Sequence, residues 1–161
     1  MRVLSRVLIV VAGVALSSGH ACPSVAVSQD ASVLVTRTLK NLGTQGCLSD
    51  EGQDIAAVDE CAAGSTRQQW DVSGPAIAQR LRNVATGQCL SDGGEGVAVM
   101  GPCGEPPHVE PASLWVGTGP EGARQFRNLV TGQCLAAIPG ITVAVIGQCS
   151  DATNQQWGTA G

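Results

Sequence analysis

Short apolar runs alternate with polar and glycine-rich stretches along the whole chain, and none of them keeps a helical period. Over residues 33–41 the side chains alternate, with Val33, Val35 and Leu39 on one face and Thr36, Thr38 and Lys40 on the other, which predicts a strand. That strand ends at Lys40-Asn41 and runs into a Gly/Thr/Gln turn followed by a Cys-Leu pair. The same succession returns as Arg82-Asn83-Val84-Ala85-Thr86-Gly87-Gln88-Cys89-Leu90 and as Arg127-Asn128-Leu129-Val130-Thr131-Gly132-Gln133-Cys134-Leu135, each preceded by one large apolar side chain, Leu81 or Phe126. A second strand-like run follows at 55–58, 97–100 and 143–146 and leads to Cys61, Cys103 and Cys149. Counting back from these cysteines, Ala56, Ala98 and Ala144 align, as do Val58, Met100 and Ile146; a small-then-large face of this kind predicts core.

Each unit closes on a tryptophan, in Gln68-Gln69-Trp70, Ser113-Leu114-Trp115 and Gln155-Gln156-Trp157. The first cysteines are 42 and 45 residues apart and the tryptophans 45 and 42 apart, so the chain is a three-fold repeat with boundaries at about 33–73, 74–119 and 120–161. A unit of about four short strands cannot bury its own apolar face, so the three must share one core. The second unit departs from the others between Cys103 and Trp115. Twelve residues separate that pair, against nine and eight elsewhere, and Pro106, Pro107 and Pro111 mark the extra length as an extended surface loop.

The beginning of the chain changes the chemical setting. Arg2 and Arg6 flank an apolar run at residues 7–16 that is too short for a spanning helix, the pattern of an export signal. Small residues allow cleavage after Ala21 or after Ala26. The second cut removes Cys22, which has no counterpart in the repeats, and the cysteine count favours it, giving a signal peptide at 1–26 and a domain at 33–161. The rival reading is a lipoprotein acylated on Cys22, the one route by which a membrane would enter. After the later cut the chain keeps seven basic against thirteen acidic side chains, a net charge of −6, with the basic ones scattered. That balance argues against a nucleic-acid partner. An exported chain makes disulfides the default state of the six repeat cysteines. Cys47–Cys61, Cys89–Cys103 and Cys134–Cys149 is the pairing that treats all repeats alike, each loop contributing about 3 kcal/mol.

A thrice-repeated Cys-Leu, a second cysteine and a closing Gln-x-Trp together resemble the ricin-type lectin family, which includes the family-13 carbohydrate-binding modules. The resemblance covers residues 33–161 and is most specific at Cys149-Ser150-Asp151-Ala152-Thr153-Asn154-Gln155-Gln156-Trp157. It implies an all-β fold, a β-trefoil of twelve strands with pseudo-three-fold symmetry, six forming a barrel and six forming hairpins that cap it, with Trp70, Trp115 and Trp157 in the core. It also implies a secreted module that binds a neutral sugar such as a galactoside or xylan. In such a family each pocket uses an Asp soon after the first cysteine, an aromatic two residues before the second, and an Asn-Gln pair ahead of the tryptophan, which together accept hydroxyl hydrogen bonds and cover an apolar sugar face.

Carried over position by position, the Asp site holds Ser49, Ser91 and Ala136, with Asp50 and Asp92 one residue later; a slip of one residue turns a strand side chain to the other face. The aromatic position holds Asp59, Gly101 and Gly147, and the chain has no tyrosine. The polar pair is intact only as Asn154-Gln155, facing Arg67-Gln68 and Ala112-Ser113 in the other units. The candidate sugar contacts are therefore Asp50, Asp92, Asn154 and Gln155. Their competing readings are solvated turn residues for the aspartates and a fold-bracing amide for Gln155. His108, between Glu105 and Glu110 in the inserted loop, has no partner residues for a catalytic device or a metal site, and no carboxylate pair is spaced for glycoside hydrolysis. The sequence thus reads as a non-catalytic, monomeric module with no cofactor. The second reading is a trefoil that has lost sugar binding and engages a protein partner, as a toxin accessory subunit or an inhibitor presenting the proline-rich loop.

Overall fold

The computed structural model describes residues 35–104 and 108–160. The export signal, Cys22, Val33 and the Glu105-Pro106-Pro107 part of the inserted loop lie outside them. The first repeat contributes β1 (Val35–Asn41), β2 (Cys47–Ser49), β3 (Ala57–Asp59) and β4 (Gln69–Ser73). The second contributes β5 (Arg80–Asn83), β6 (Cys89–Asp92), β7 (Ala98–Gly101) and β8 (Trp115–Thr118). The third contributes β9 (Gln125–Asn128), β10 (Cys134–Ala136), β11 (Val145–Gly147) and β12 (Trp157–Ala160). The strand-like runs expected before the second cysteines begin one to two residues later than predicted, because Ile55, Val97 and Val143 make single bridges between hairpins instead of joining their own ladders.

Six strands close a barrel. β1 pairs with β4 and with β12, β4 with β5, and β8 with β9, all antiparallel. Reciprocal backbone hydrogen bonds at Gln79/Trp115 and Arg124/Trp157, between 2.7 and 2.9 Å, join β5 to β8 and β9 to β12 and complete the ring. The other six strands form the hairpins β2–β3, β6–β7 and β10–β11. The chain is a β-trefoil.

The hairpins are tied to each other at the predicted alanines. Ala56 N donates to Ala98 O, Ala98 N to Ala144 O and Ala144 N to Ala56 O, at 3.0, 2.9 and 2.9 Å. A second ring runs Val58 N to Thr142 O, Met100 N to Asp54 O and Ile146 N to Gly96 O. The three alanines are fully buried, and only a methyl-sized side chain lets three backbones approach this closely at one axis. With them Leu48, Leu90 and Leu135, the three tryptophans, and Leu39, Leu81 and Phe126 fill the core in sets of three. Each indole N–H donates to the carbonyl of Leu48, Leu90 or Leu135, at 3.0, 2.9 and 3.1 Å, so all three buried indole donors are paired.

The three disulfides have the symmetric pairing expected, Cys47–Cys61, Cys89–Cys103 and Cys134–Cys149. They place the domain in an oxidising environment. A 3₁₀ turn precedes each tryptophan, at Thr66–Gln68, Pro111–Ser113 and Thr153–Gln155. In the second repeat Pro111 opens that turn, where the sequence suggested extended chain; its fixed φ suits the first position of a turn.

Candidate functional site

Three asparagines, Asn41, Asn83 and Asn128, set up the loops in which sugar contacts were sought. Each ends a barrel strand, is buried, and accepts hydrogen bonds from two N–H groups of the following turn through Oδ1, for example Ala85 N and Thr86 N at 2.9 and 3.3 Å. Each donates through Nδ2 to a carbonyl in the 3₁₀ turn of the preceding repeat: Asn41 to Asn154 O, Asn83 to Arg67 O and Asn128 to Ala112 O. The repeated Asn is therefore a joint between units, and it fixes the register of the next Cys-Leu strand.

Asp50 and Asp92 belong to the same joints. Asp50 is fully buried; its carboxylate accepts the N–H of Gly52 at 2.9 Å and the hydroxyl of Thr86 in the second repeat. Asp92 is 9% exposed and accepts the N–H of Gly94 at 2.8 Å and the hydroxyl of Thr131 in the third repeat at 2.5 Å. The equivalent position in the third repeat is Ala137, and Thr44, left without a carboxylate, turns its hydroxyl to Asn41 Oδ1 at 3.3 Å. Gln155 is buried and braces the last disulfide loop, accepting Ser150 N and donating to Gln148 O, both at 2.7 Å. Gln68 makes the same brace in the first repeat, to Ala62 N and Glu60 O. Asn154 is half-buried; its backbone carbonyl holds Asn41 and Ala137, and its side chain makes no hydrogen bond among the described residues. The four candidates thus stand in three separate repeats. The Asn-Gln pair stands beside an alanine, and each aspartate stands beside a turn that lacks the pair.

The positions that a lectin would use are filled differently. Ser49, where a sugar-binding Asp is expected, is buried and donates to the carboxylate of Asp59, which stands at the aromatic position. Beside Asp59 the surface opens into a groove of about 460 Å³ between β3 and the loop joining β10 to β11. Asp59, Glu60, Thr44 and Thr142 give it polar walls, and Ile138 and Ile141, 38% and 46% exposed, give it an apolar rim. One inversion in the sequence borders it. The turn that reads Gly87-Gln88 and Gly132-Gln133 elsewhere reads Gln45-Gly46 here. Gln45 consequently takes the left-handed conformation (φ 65°) that suits glycine, and at Gly46 the Val58 side chain packs where a Cβ would stand, its Cγ1 only 2.7 Å from that point. The swapped dipeptide is visible in the sequence, but not the approach of the third repeat, which supplies the other wall of the groove.

Residues 35–157 match the family model of the ricin-type β-trefoil lectin domain. The chain belongs to this family. Among solved structures, this ricin-type domain is similar to a GlcNAcα1-4Gal-releasing endo-β-galactosidase from Clostridium perfringens, with TM-score 0.67 and 16% identity over 77% of the chain. The chain spans 31% of the length of that protein. It is also similar to the designed three-fold symmetric protein ThreeFoil, with TM-score 0.66 and 16% identity over 78% of this chain and 98% of that one. A third likeness is to a non-toxic homologue of type II RIPs from Momordica charantia in complex with α-methyl-D-galactoside, with TM-score 0.64 and 18% identity over 80% of this chain and 48% of that one. At such identities these likenesses carry the fold. No curated protein matches the sequence.

Proposed function

We propose that the chain is an exported, non-catalytic carbohydrate-binding module whose family sugar sites are largely degenerate, and that its remaining glycan contact is the groove beside Asp59. The observation that carries the reading is the composition of that groove. A neutral sugar needs acceptors for its hydroxyls and an apolar surface for its C–H face, and here the carboxylates of Asp59 and Glu60 lie opposite Ile138 and Ile141 within one depression of sugar-binding size. Aliphatic side chains replace the aromatic platform, which makes the binding weak. Asp50, Asp92 and Gln155 are spent on hydrogen bonds within the fold, and Asn154 adds, at a separate position, an amide with no partner among the described residues. Residues 1–26 act as the export signal in this reading.

The test is a glycan array followed by titration of the strongest responder, across galactosides, xylans and glucans. Asp59→Asn should weaken binding by about tenfold, the scale of one charge-assisted hydrogen bond, while Asp50→Ala and Asp92→Ala reduce stability more than affinity. Silence across all three sugar classes sinks this reading and leaves the second one, a protein-interaction trefoil. That alternative has its own support in Leu129 and Val130, 47% and 61% exposed at the tip of the β9–β10 turn.

A further inference from the structure

At the end of the barrel away from the hairpins the three-fold rule is kept in geometry and broken in chemistry. Two residues before the large core side chains Leu39, Leu81 and Phe126 stand Arg37, Gln79 and Arg124, in register with Trp70, Trp115 and Trp157. All three face a cavity of about 210 Å³ whose apolar floor includes Val72 and Phe126. Arg37 is paired, its Nη2 lying 2.9 Å from Glu121 Oε1. The other two are not. Gln79 Oε1 and Arg124 Nε are buried with no hydrogen-bond partner among the described residues, and Gln79 is only 7% exposed.

Buried polar atoms nearly always find partners, and one acceptor and one donor orphaned in the same cavity call for a group that supplies both complements. They are close neighbours. A Cβ placed on Gly117 would collide with Gln79 Oε1 and lie 3.4 Å from Arg124 Cδ, so the absence of a side chain at residue 117 is what lets the Gln79 carboxamide pack there beside Arg124. With two arginines and one glutamate around it, the cavity carries one net positive charge. Its volume is somewhat above that of the engineered apolar cavities, about 150 Å³, that hold benzene.

We propose that this barrel mouth is a binding site for a small hydroxycarboxylate. The carboxylate accepts from the Arg124 guanidinium, the hydroxyl donates to Gln79 Oε1, and a short carbon body covers Val72 and Phe126. The site is separate from the groove beside Asp59 and stands or falls independently of sugar binding there.

The test is a ¹⁵N–¹H NMR titration of the folded protein with three probes of matched size: L-lactate, propanoate and 1,2-propanediol. Lactate should give saturable shifts at the amides of Gln79, Gly117 and Arg124. Propanoate, which lacks the hydroxyl, should bind about tenfold more weakly, and the diol, which lacks the charge, should give no saturable shift. Arg124→Met should abolish the lactate response. Arg124→Lys keeps the charge but removes the Nε–H, and should weaken the response about tenfold. Gly117→Ala, which displaces Gln79, should weaken it as well. Absence of saturable shifts with lactate means a cavity filled by water alone and overturns the proposal. Shifts that persist in Arg124→Met, or equal responses to lactate and propanoate, overturn it too.

Discussion

The two ends of the barrel obey one symmetry and use it in opposite ways. At the hairpin end the three repeats place the same residue at the same point: alanine at the axis, a core leucine, a tryptophan whose N–H reaches that leucine, and an asparagine that clamps the preceding unit. At the mouth the equivalent positions hold Arg37, Gln79 and Arg124, and among the described residues only the first has a partner for its side chain. Where the same residue recurs three times, its role is to satisfy one backbone geometry three times. Where the residues diverge, that geometry does not choose them, and a ligand or partner can.

The sharpest way to break this contrast is to remove one clamp. Asn83→Ala deletes a buried side chain that holds Arg67 O and two turn N–H groups, and should lower stability by about 3 kcal/mol in chemical denaturation, the cost of leaving buried backbone groups unsatisfied. A loss below about 1 kcal/mol would mean that water enters the joint. Next comes the asymmetry within the clamped end. Asp92→Ala should cost about 2 kcal/mol through Thr131 and Gly94, whereas Ala137→Asp, which offers Thr44 the carboxylate its counterparts already have, should raise stability by about 1 kcal/mol. If Ala137→Asp destabilises instead, burial of the charge outweighs the hydrogen bond at that joint. Smallest of all should be the mouth. Gln79→Leu and Arg124→Met should each leave the denaturation midpoint within about 0.5 kcal/mol of the parent or raise it, because an orphaned polar group is exchanged for an apolar one of similar length. A loss on the scale of Asn83→Ala would make the mouth a structural element and end the comparison.

The aspartates show where sequence reading stops. Asp50 and Asp92 sit one place beyond the lectin position, beside glycine, and nothing near them in the chain names their partners. Thr86 and Thr131 lie 36 and 39 residues further on, in the neighbouring repeat. Gln155 stood in the sequence as a sugar contact and equally as a brace, and the groups it holds, Ser150 N and Gln148 O, lie only five and seven residues back. The groove beside Asp59 was half legible: the Gln45-Gly46 inversion is visible in the alignment of repeats, but its walls come from the first and third units. Arg37, Gln79 and Arg124 were not legible at all, since polar residues at inward positions of a strand look like errors in an alternating pattern until the barrel end is seen to be open.

The sequence by itself determined the three-fold period and the pairing of six cysteines, because each rests on a residue type recurring at one interval, while the trefoil class and the burial of every tryptophan came through the resemblance of those repeats to the ricin-type lectins. Only the tertiary structure decided which polar residues are consumed and which are free. A carboxylate, an amide or a guanidinium acquires its role from atoms tens of residues away, and the closing of the barrel alone brings those atoms within hydrogen-bond reach or leaves them short of it.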